Sequence, residues 1–182
     1  MNLPNKLTLL RIGLIPIFVI SYYLLPPTSL WPMVIFILAS VTDFFDGSIA
    51  RKQHLVTTFG KFMDPLADKL LTQAAFILLV DRGLLAGWVV LVILARELMI
   101  TAFRSLAASR GRTIAASSWG KAKTVSQMIT LIYFLIMPAV AGWWSAPAFV
   151  SKLLIGVTLF LTLLSGFDYI WKNQAVLDLE HI

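Results

Sequence analysis

Six apolar segments, near residues 7–25, 32–50, 62–80, 84–103, 122–138 and 149–170, succeed one another with short polar connections between them. Each is close to the roughly 20 residues that an α-helix needs to cross the hydrocarbon core of a bilayer. In lipid every backbone amide and carbonyl must be satisfied within the protein, so a spanning element is either a helix or a strand of a closed barrel. Period-2 alternation is absent and turn signals are too few for a barrel. The chain is therefore read as all-α, a polytopic membrane helix bundle with six transmembrane helices. Composition agrees: 59% of residues are hydrophobic and 13% charged, with a mean hydropathy of +0.86, which leaves too little polar surface for a soluble domain. At this length, residues 1–182 are expected to form a single membrane domain.

Lysine and arginine set the expected orientation. With both termini in the cytoplasm, 12 of the 15 basic residues fall at the inner side, Arg82 and Lys152 fall outside, and Arg96 lies within a span. The outer loops at 26–29 and 141–145 carry no charge. This asymmetry predicts an N-in, C-in topology. All six tryptophans, Trp31, Trp88, Trp119, Trp143, Trp144 and Trp171, lie near segment ends, as an interfacial belt requires. The stretch Tyr22-Tyr23-Leu24-Leu25-Pro26-Pro27 offers no small-residue cleavage site, so the first segment is read as a mature span. The chain has no cysteine, which excludes disulfides and thiolate metal sites. The net charge of +6 bears on topology and anionic partners. Aromatic and basic residues do not interleave in a patch, so nucleic acid is not an expected partner.

Against this apolar background, four aspartates stand within 26 residues: Asp43 and Asp46 near the inner end of the second span, Asp64 and Asp68 near the start of the third. Spacings of three and four put each pair on one helical face. The short connection at 52–58 turns the chain back, so the two acidic faces can oppose each other. Four facing carboxylates repel strongly unless cations sit between them. Oxygen-only ligands suit Mg²⁺ or Mn²⁺ and argue against zinc. Carboxylates on two helices could hold two such ions, the arrangement that stabilises both attacking and leaving oxygens in a phosphoryl displacement. Gly47 and Gly60 allow a ligand to approach the helix backbone, Ala50 is small, and Arg51 offers a planar donor fork to a phosphate. Pro65 predicts that the third helix starts close by or kinks there. Any one aspartate is as well explained by pairing with Lys52, Lys61 or Lys69, or by a proton path. All four at these spacings, with glycines and arginine in register, favour a metal-held phosphate.

The residues read Asp43-x2-Asp46-Gly47-x2-Ala50-Arg51-x8-Gly60-x3-Asp64-x3-Asp68, eight fixed positions over 26 residues. This pattern resembles, without departure, the signature of the CDP-alcohol phosphotransferase family, and the chain's size and six-span layout are similar to that family too. The resemblance implies a divalent-metal phosphotransferase in the bacterial cytoplasmic membrane, opening to the cytoplasm. Asp43, Asp46 and Asp64 would hold two metal ions. Asp68 would be the base that deprotonates the acceptor hydroxyl, and a metal ligand as well. Gly47, Ala50, Arg51 and Gly60 would line the CDP part of the donor. The opening stretch 2–11 resembles the family's short juxtamembrane helix that borders the nucleotide, which makes Asn5, Thr8 and Arg11 candidates for that border. Family members are commonly homodimers.

Two further stretches bear on the acceptor. In Ala95-Arg96-Glu97-Leu98-Met99-Ile100-Thr101-Ala102-Phe103-Arg104, Glu97, Thr101 and Arg104 share a face, and Arg96 sits inside an apolar run that calls for a partner or an anion. Gly120-Lys121-Ala122-Lys123-Thr124 places two lysines at a helix start, where amides and dipole also favour an anion. The plainer reading of each is positive-inside charge with an internal Arg96–Glu97 or Glu97–Arg104 ion pair. Together they favour an acceptor that carries its own phosphate, with Arg96, Arg104, Lys121 and Lys123 as candidate ligands. Both stretches are similar to those of the family's phosphatidylglycerophosphate-forming members. That resemblance implies CDP-diacylglycerol as donor and glycerol 3-phosphate as acceptor, with inositol phosphate, serine and phosphatidylglycerol as alternatives. An intramembrane prenyltransferase would place its acids in two separated sites, and a cation transporter would carry mid-membrane acids on more helices. Asp168, the remaining intramembrane acid besides Glu97, is read as a helix-terminal residue.

Overall fold

The computed structural model describes residues 3–52, 58–109, 114–115, 117–140 and 148–174, and for 3–8, 43–52, 58–65, 68 and 109 it describes the backbone alone. The described residues form six α-helices: α1 Leu3–Leu24, α2 Trp31–Lys52, α3 Thr58–Asp81, α4 Gly87–Ser109, α5 Ser118–Val140 and α6 Ala148–Lys172. Each covers most of one apolar segment of the sequence and runs past its polar end. Hydropathy marks where the apolar residues stop, whereas a helix continues until its backbone bonding is broken or capped. Ser117 shows this at α5, where its Oγ accepts the Gly120 amide at 3.1 Å as an N-cap. Pro65 falls inside α3, seven residues after its first residue.

One expectation is corrected. The separate short helix ahead of the first span does not form, because residues 3–24 make a single helix. Pro4 lies in the first turn, where an amide has no intrahelical acceptor, so it costs no bond. No further proline occurs until Pro16.

Two compact units are present, Met1–Leu84 with Leu131–Ala146, and Leu85–Thr130 with Pro147–Ile182. In the first, α1 packs along α2 and α3, and α2 packs on α3. Phe18 and Phe36 are fully buried with ring centroids 5.7 Å apart, and Leu71, Ala75, Phe76 and Leu79 of α3 complete the core. The end of α3 is fixed by a glycine turn. Gly83 has φ +69°, its amide donates to the Val80 carbonyl at 2.9 Å, and the Leu84 amide donates to the Leu79 carbonyl at 2.9 Å. This is a Schellman cap, which requires the left-handed residue that glycine supplies without steric cost. Beside it, Arg82 donates to the Tyr22 carbonyl and lies 3.9 Å from the centre of the Tyr22 ring, tying the end of α3 to the end of α1.

In the second unit α4 packs on α6. Ile100, Phe103 and Ala107 of α4 bury Tyr169 of α6, with the Phe103 and Tyr169 rings edge-on at 5.7 Å. A hydroxyl seam joins α5 to α6: Thr130 Oγ1 and Thr158 Oγ1 are 2.8 Å apart, and both also reach the Ser126 carbonyl. Helices in an apolar medium gain from such pairs because water is not there to replace them.

Around the apolar core, burial departs from that of a water-soluble protein. Arg11, Lys123, Thr130, Thr158, Thr162 and Ser165 are buried, whereas Leu91 and Phe160 are 65% and 63% exposed. Among the described residues, α5 and α6 are long and apolar enough to cross a membrane, and Leu9–Leu24 and Trp31–Thr42 are shorter apolar stretches. Trp31, Trp88, Trp119 and Trp171 lie within two residues of helix ends and are exposed, as the belt expectation requires. Trp143 and Trp144 lie outside the described residues.

Candidate functional site

Asp43, Asp46, Gly47, Ala50 and Arg51 fall in the second half of α2, and Gly60, Asp64 and Asp68 in the first half of α3. Their side chains, and those of Asn5 and Thr8, lie outside the described residues. Helical register still locates the positions. On α2 the buried residues Pro32, Phe36 and Ala39 advance by four and three, and the same steps continue to Asp43, Asp46 and Ala50. On α3 the buried Leu71, Ala75 and Leu79 lead back by similar steps to Asp68 and Asp64. Both acid pairs therefore stand at register positions that continue these stripes.

The buried face of α1 adds a cation at this level. Arg11 is fully buried, in helical step with Phe18 and Tyr22. It precedes Phe18 by seven residues, and Asp43 comes seven after Phe36. Helices α1 and α2 run antiparallel through a six-residue connection, with Phe18 on Phe36. At about 1.5 Å rise per residue, positions 11 and 43 then share one level. A donor set of four carboxylates on two packed helices fits a hard divalent cation, which takes oxygen ligands, and an adjacent arginine suits the phosphate such a cation would hold.

The second unit sorts its charges differently. Glu97 Oε1 accepts from Arg96 Nη1 at 3.1 Å and from Lys123 Nζ, with the three side chains 13%, 12% and 5% exposed for Arg96, Glu97 and Lys123. A carboxylate in this setting neutralises cations that would otherwise be costly. Gly166 of α6 makes room for the arginine, since a Cβ there would stand 3.2 Å from Arg96 Cγ. Of the two ion pairs expected as alternatives, Arg96–Glu97 is the one that forms, and Lys123 joins it on the same carboxylate oxygen. Arg104 instead lies with its guanidinium 6.0 Å from the Tyr169 ring centre. Thr101 Oγ1 donates to the Glu97 carbonyl at 2.7 Å. Of the four candidate acceptor ligands, Arg96 and Lys123 thus come together on Glu97, while Arg104 and Lys121 are exposed.

Beside Tyr169 is a pocket of about 530 Å³, lined by Ser117, Ser118 and Trp119 at the start of α5 and by Asp168, Tyr169 and Lys172 at the end of α6. Asp168 Oδ1 pairs with Lys172 Nζ at 2.5 Å. Asp168 Oδ2 and the Tyr169 hydroxyl are buried and have no hydrogen-bond partner among the described residues. Reading Asp168 as a helix-terminal residue named neither its lysine partner nor this pocket. Its one trace in the sequence is an acid beside a tyrosine one turn before the last lysine of an apolar helix.

Residues 1–164 match the CDP-alcohol phosphatidyltransferase family. The chain is 42% identical over 189 aligned positions to the CDP-diacylglycerol–glycerol-3-phosphate 3-phosphatidyltransferase of Bacillus subtilis strain 168, covering 97% of each chain. It is 41% identical over 177 positions to the protein of that name from Salmonella typhimurium strain LT2, covering 93% of each. A Rickettsia bellii protein of the same name is 37% identical over 169 positions, covering 92% of this chain and 93% of its own. With the aspartate signature on its two packed helices, this chain belongs to the CDP-alcohol phosphatidyltransferase family.

Proposed function

We infer that this protein transfers the phosphatidyl group from CDP-diacylglycerol to glycerol 3-phosphate, giving phosphatidylglycerophosphate and CMP. The observation that carries the reading is the unbroken eight-position signature on α2 and α3. The activity named for the relatives supplies the acceptor. Residues 1–182 act as one catalytic membrane domain. All six helices span the bacterial cytoplasmic membrane, with both termini and the aspartate ends of α2 and α3 at the cytoplasmic side. The retention of basic residues on that side supports the orientation.

Asp43, Asp46 and Asp64, with Asp68 at their edge, are the residues to hold two divalent ions, Mg²⁺ or Mn²⁺. When bound, such ions neutralise the donor pyrophosphate and stabilise charge on the attacking and leaving oxygens. Gly47, Ala50, Arg51 and Gly60 line the nucleotide, with Asn5, Thr8 and Arg11 at its border. The acyl chains of the donor stay in lipid. Asp68 takes the proton of the acceptor 1-hydroxyl as that oxygen attacks the β-phosphorus. The bond from this phosphorus to the bridging oxygen breaks, and CMP leaves with the electron pair. Arg104 and Lys121 hold the acceptor phosphate, and Arg96 and Lys123 add positive potential moderated by Glu97. Two copies of the chain form a homodimer.

The test is CMP release by purified protein in detergent with CDP-diacylglycerol and Mg²⁺, comparing glycerol 3-phosphate with inositol phosphate, serine and phosphatidylglycerol. Release with glycerol 3-phosphate alone, abolished by EDTA and by Asp43→Asn in protein that still inserts, is the expected result. Release with a different acceptor would keep the aspartate chemistry and overturn the acceptor. Silence with all four, from folded protein, would overturn the reading.

A further inference from the structure

Among the basic side chains described in the first unit, Lys69 and Arg82 keep part of their surface exposed and Arg11 keeps none. A guanidinium stays charged in a protein, so it cannot escape the cost of burial by losing a proton. It needs negative charge close by. Arg11 shares a buried stripe of α1 with Phe18 and Tyr22, and α1 packs along α2 and α3.

Two contacts fix its level. Phe18 on Phe36 sets position 11 level with position 43 of the antiparallel α2. Helices α1 and α3 run parallel, because each is joined to α2 by a short connection, and Arg82 stands over the Tyr22 ring. Eleven residues back from Tyr22 and from Arg82 are Arg11 and Leu71. Asp68 lies three residues before Leu71, about 4.5 Å along the axis. The acids of α2 and α3 are Asp43, Asp46, Asp64, Asp68 and Asp81. Asp81 stands at the far end of α3, ten residues past Leu71 or about 15 Å. The four motif aspartates are therefore the acids of these two helices whose positions lie at or near the level of Arg11.

We propose that Arg11 is a positioning residue that stands in for a metal ion: its fixed charge offsets the motif carboxylates until a divalent cation arrives, weakens the hold on that cation and strengthens the hold on the donor pyrophosphate. The charge acts through a buried interior, where salt screens it little, and Arg11 touches no reacting atom. One cation thus has opposite effects on two ligands, repelling the metal and attracting the anion. This assignment rests on the aspartate metal site named under Proposed function.

The experiment measures Mn²⁺ binding to the full chain in detergent by electron paramagnetic resonance, without nucleotide, and then CDP binding at saturating Mn²⁺. Arg11→Met keeps the bulk and removes the charge. It should tighten Mn²⁺ on the order of tenfold, the lower end of what one neighbouring charge does to a titrating group, and weaken CDP by a similar factor. Arg11→Lys keeps the charge and should stay near wild type on both. In EDTA the Arg11→Met protein should have a lower Tm than wild type, because its carboxylates repel unopposed, and Mn²⁺ should raise that Tm by more than it raises the wild type's. Weaker binding of both ligands, the result of a damaged fold, would overturn the proposal. So would an unchanged Mn²⁺ affinity, or Arg11→Lys behaving like Arg11→Met. Arg11→Met protein that stays unfolded with Mn²⁺ present would make Arg11 a scaffold cation and overturn the proposal too. All of these outcomes leave the reaction standing. Wild-type protein that binds no Mn²⁺ with or without CDP, or binding that survives Asp43→Asn unchanged, would overturn the metal site and this assignment with it.

Discussion

The motif half of α2 and α3 and the charged interior of α4, α5 and α6 both set ionisable side chains into helices that are otherwise apolar. They distribute the charge differently. The motif concentrates carboxylates at four positions within 26 residues, with Arg51, Lys52, Lys61 and Lys69 in or beside the same stretch and the buried Arg11 on α1. In the second unit, Glu97 meets both Arg96 and Lys123 within the protein, whereas Arg104 and Lys121 are exposed. Charge of both signs gathered on one carboxylate marks a scaffold. A tight cluster of basic residues in a sequence therefore says little about an anion site until the acids near it in space are known.

Four single substitutions, one of them also paired with a second, would break or sharpen that contrast. Asp68→Asn should lower kcat by roughly 10²–10⁴-fold, the range for a general base, while CDP-diacylglycerol binding survives; full turnover would remove Asp68 from that role. Glu97→Gln takes the shared carboxylate from two largely buried cations and should cost about 3 kcal/mol of stability, read as a lower Tm in detergent. Adding Lys123→Met should restore part of it. If Glu97→Gln left Tm unchanged and instead altered KM for glycerol 3-phosphate, the carboxylate would belong to the site and the contrast would fail. Arg104→Ala should raise that KM roughly tenfold with kcat nearly intact, the worth of one charge-assisted hydrogen bond. An unchanged KM would move the phosphate to other residues. Smallest of all, Thr130→Val removes the hydroxyl bonded to Thr158 and should cost about 0.6 kcal/mol with activity unchanged. A larger loss would make the hydroxyl seam a main support of the second unit.

The fold was largely legible in the residue order because each segment carries its own evidence of helix in its apolar length, whereas the Gly83 turn and the Ser117 cap came from the structure. Where the reading fell short, a local signal was absent. Hydropathy falls off before Lys52 and rises after Thr58, so helix continuity there depended on backbone bonding that a scale of polarity does not report. The separate N-terminal helix was expected from the family resemblance of residues 2–11, yet no proline stands in residues 5–15 to break the helix. The aspartate positions were legible for a different reason. Their spacing is that of a helix face, and only five residues separate α2 from α3, so sequence neighbours become spatial ones.

By itself, then, the residue order determined the all-α class, the helix positions and the acid pairs on two successive helices. These arise from interactions within about one turn of chain, or from the need to satisfy a backbone in lipid. Tertiary structure alone decided the partners that are distant in sequence. Lys123 reaches Glu97 across 26 residues, Arg82 reaches Tyr22 across 60, and Asp168 shares a pocket with Ser117. Helical periodicity says which residues lie on one face, but which faces meet, and at what level, is set by the packing of whole helices against one another.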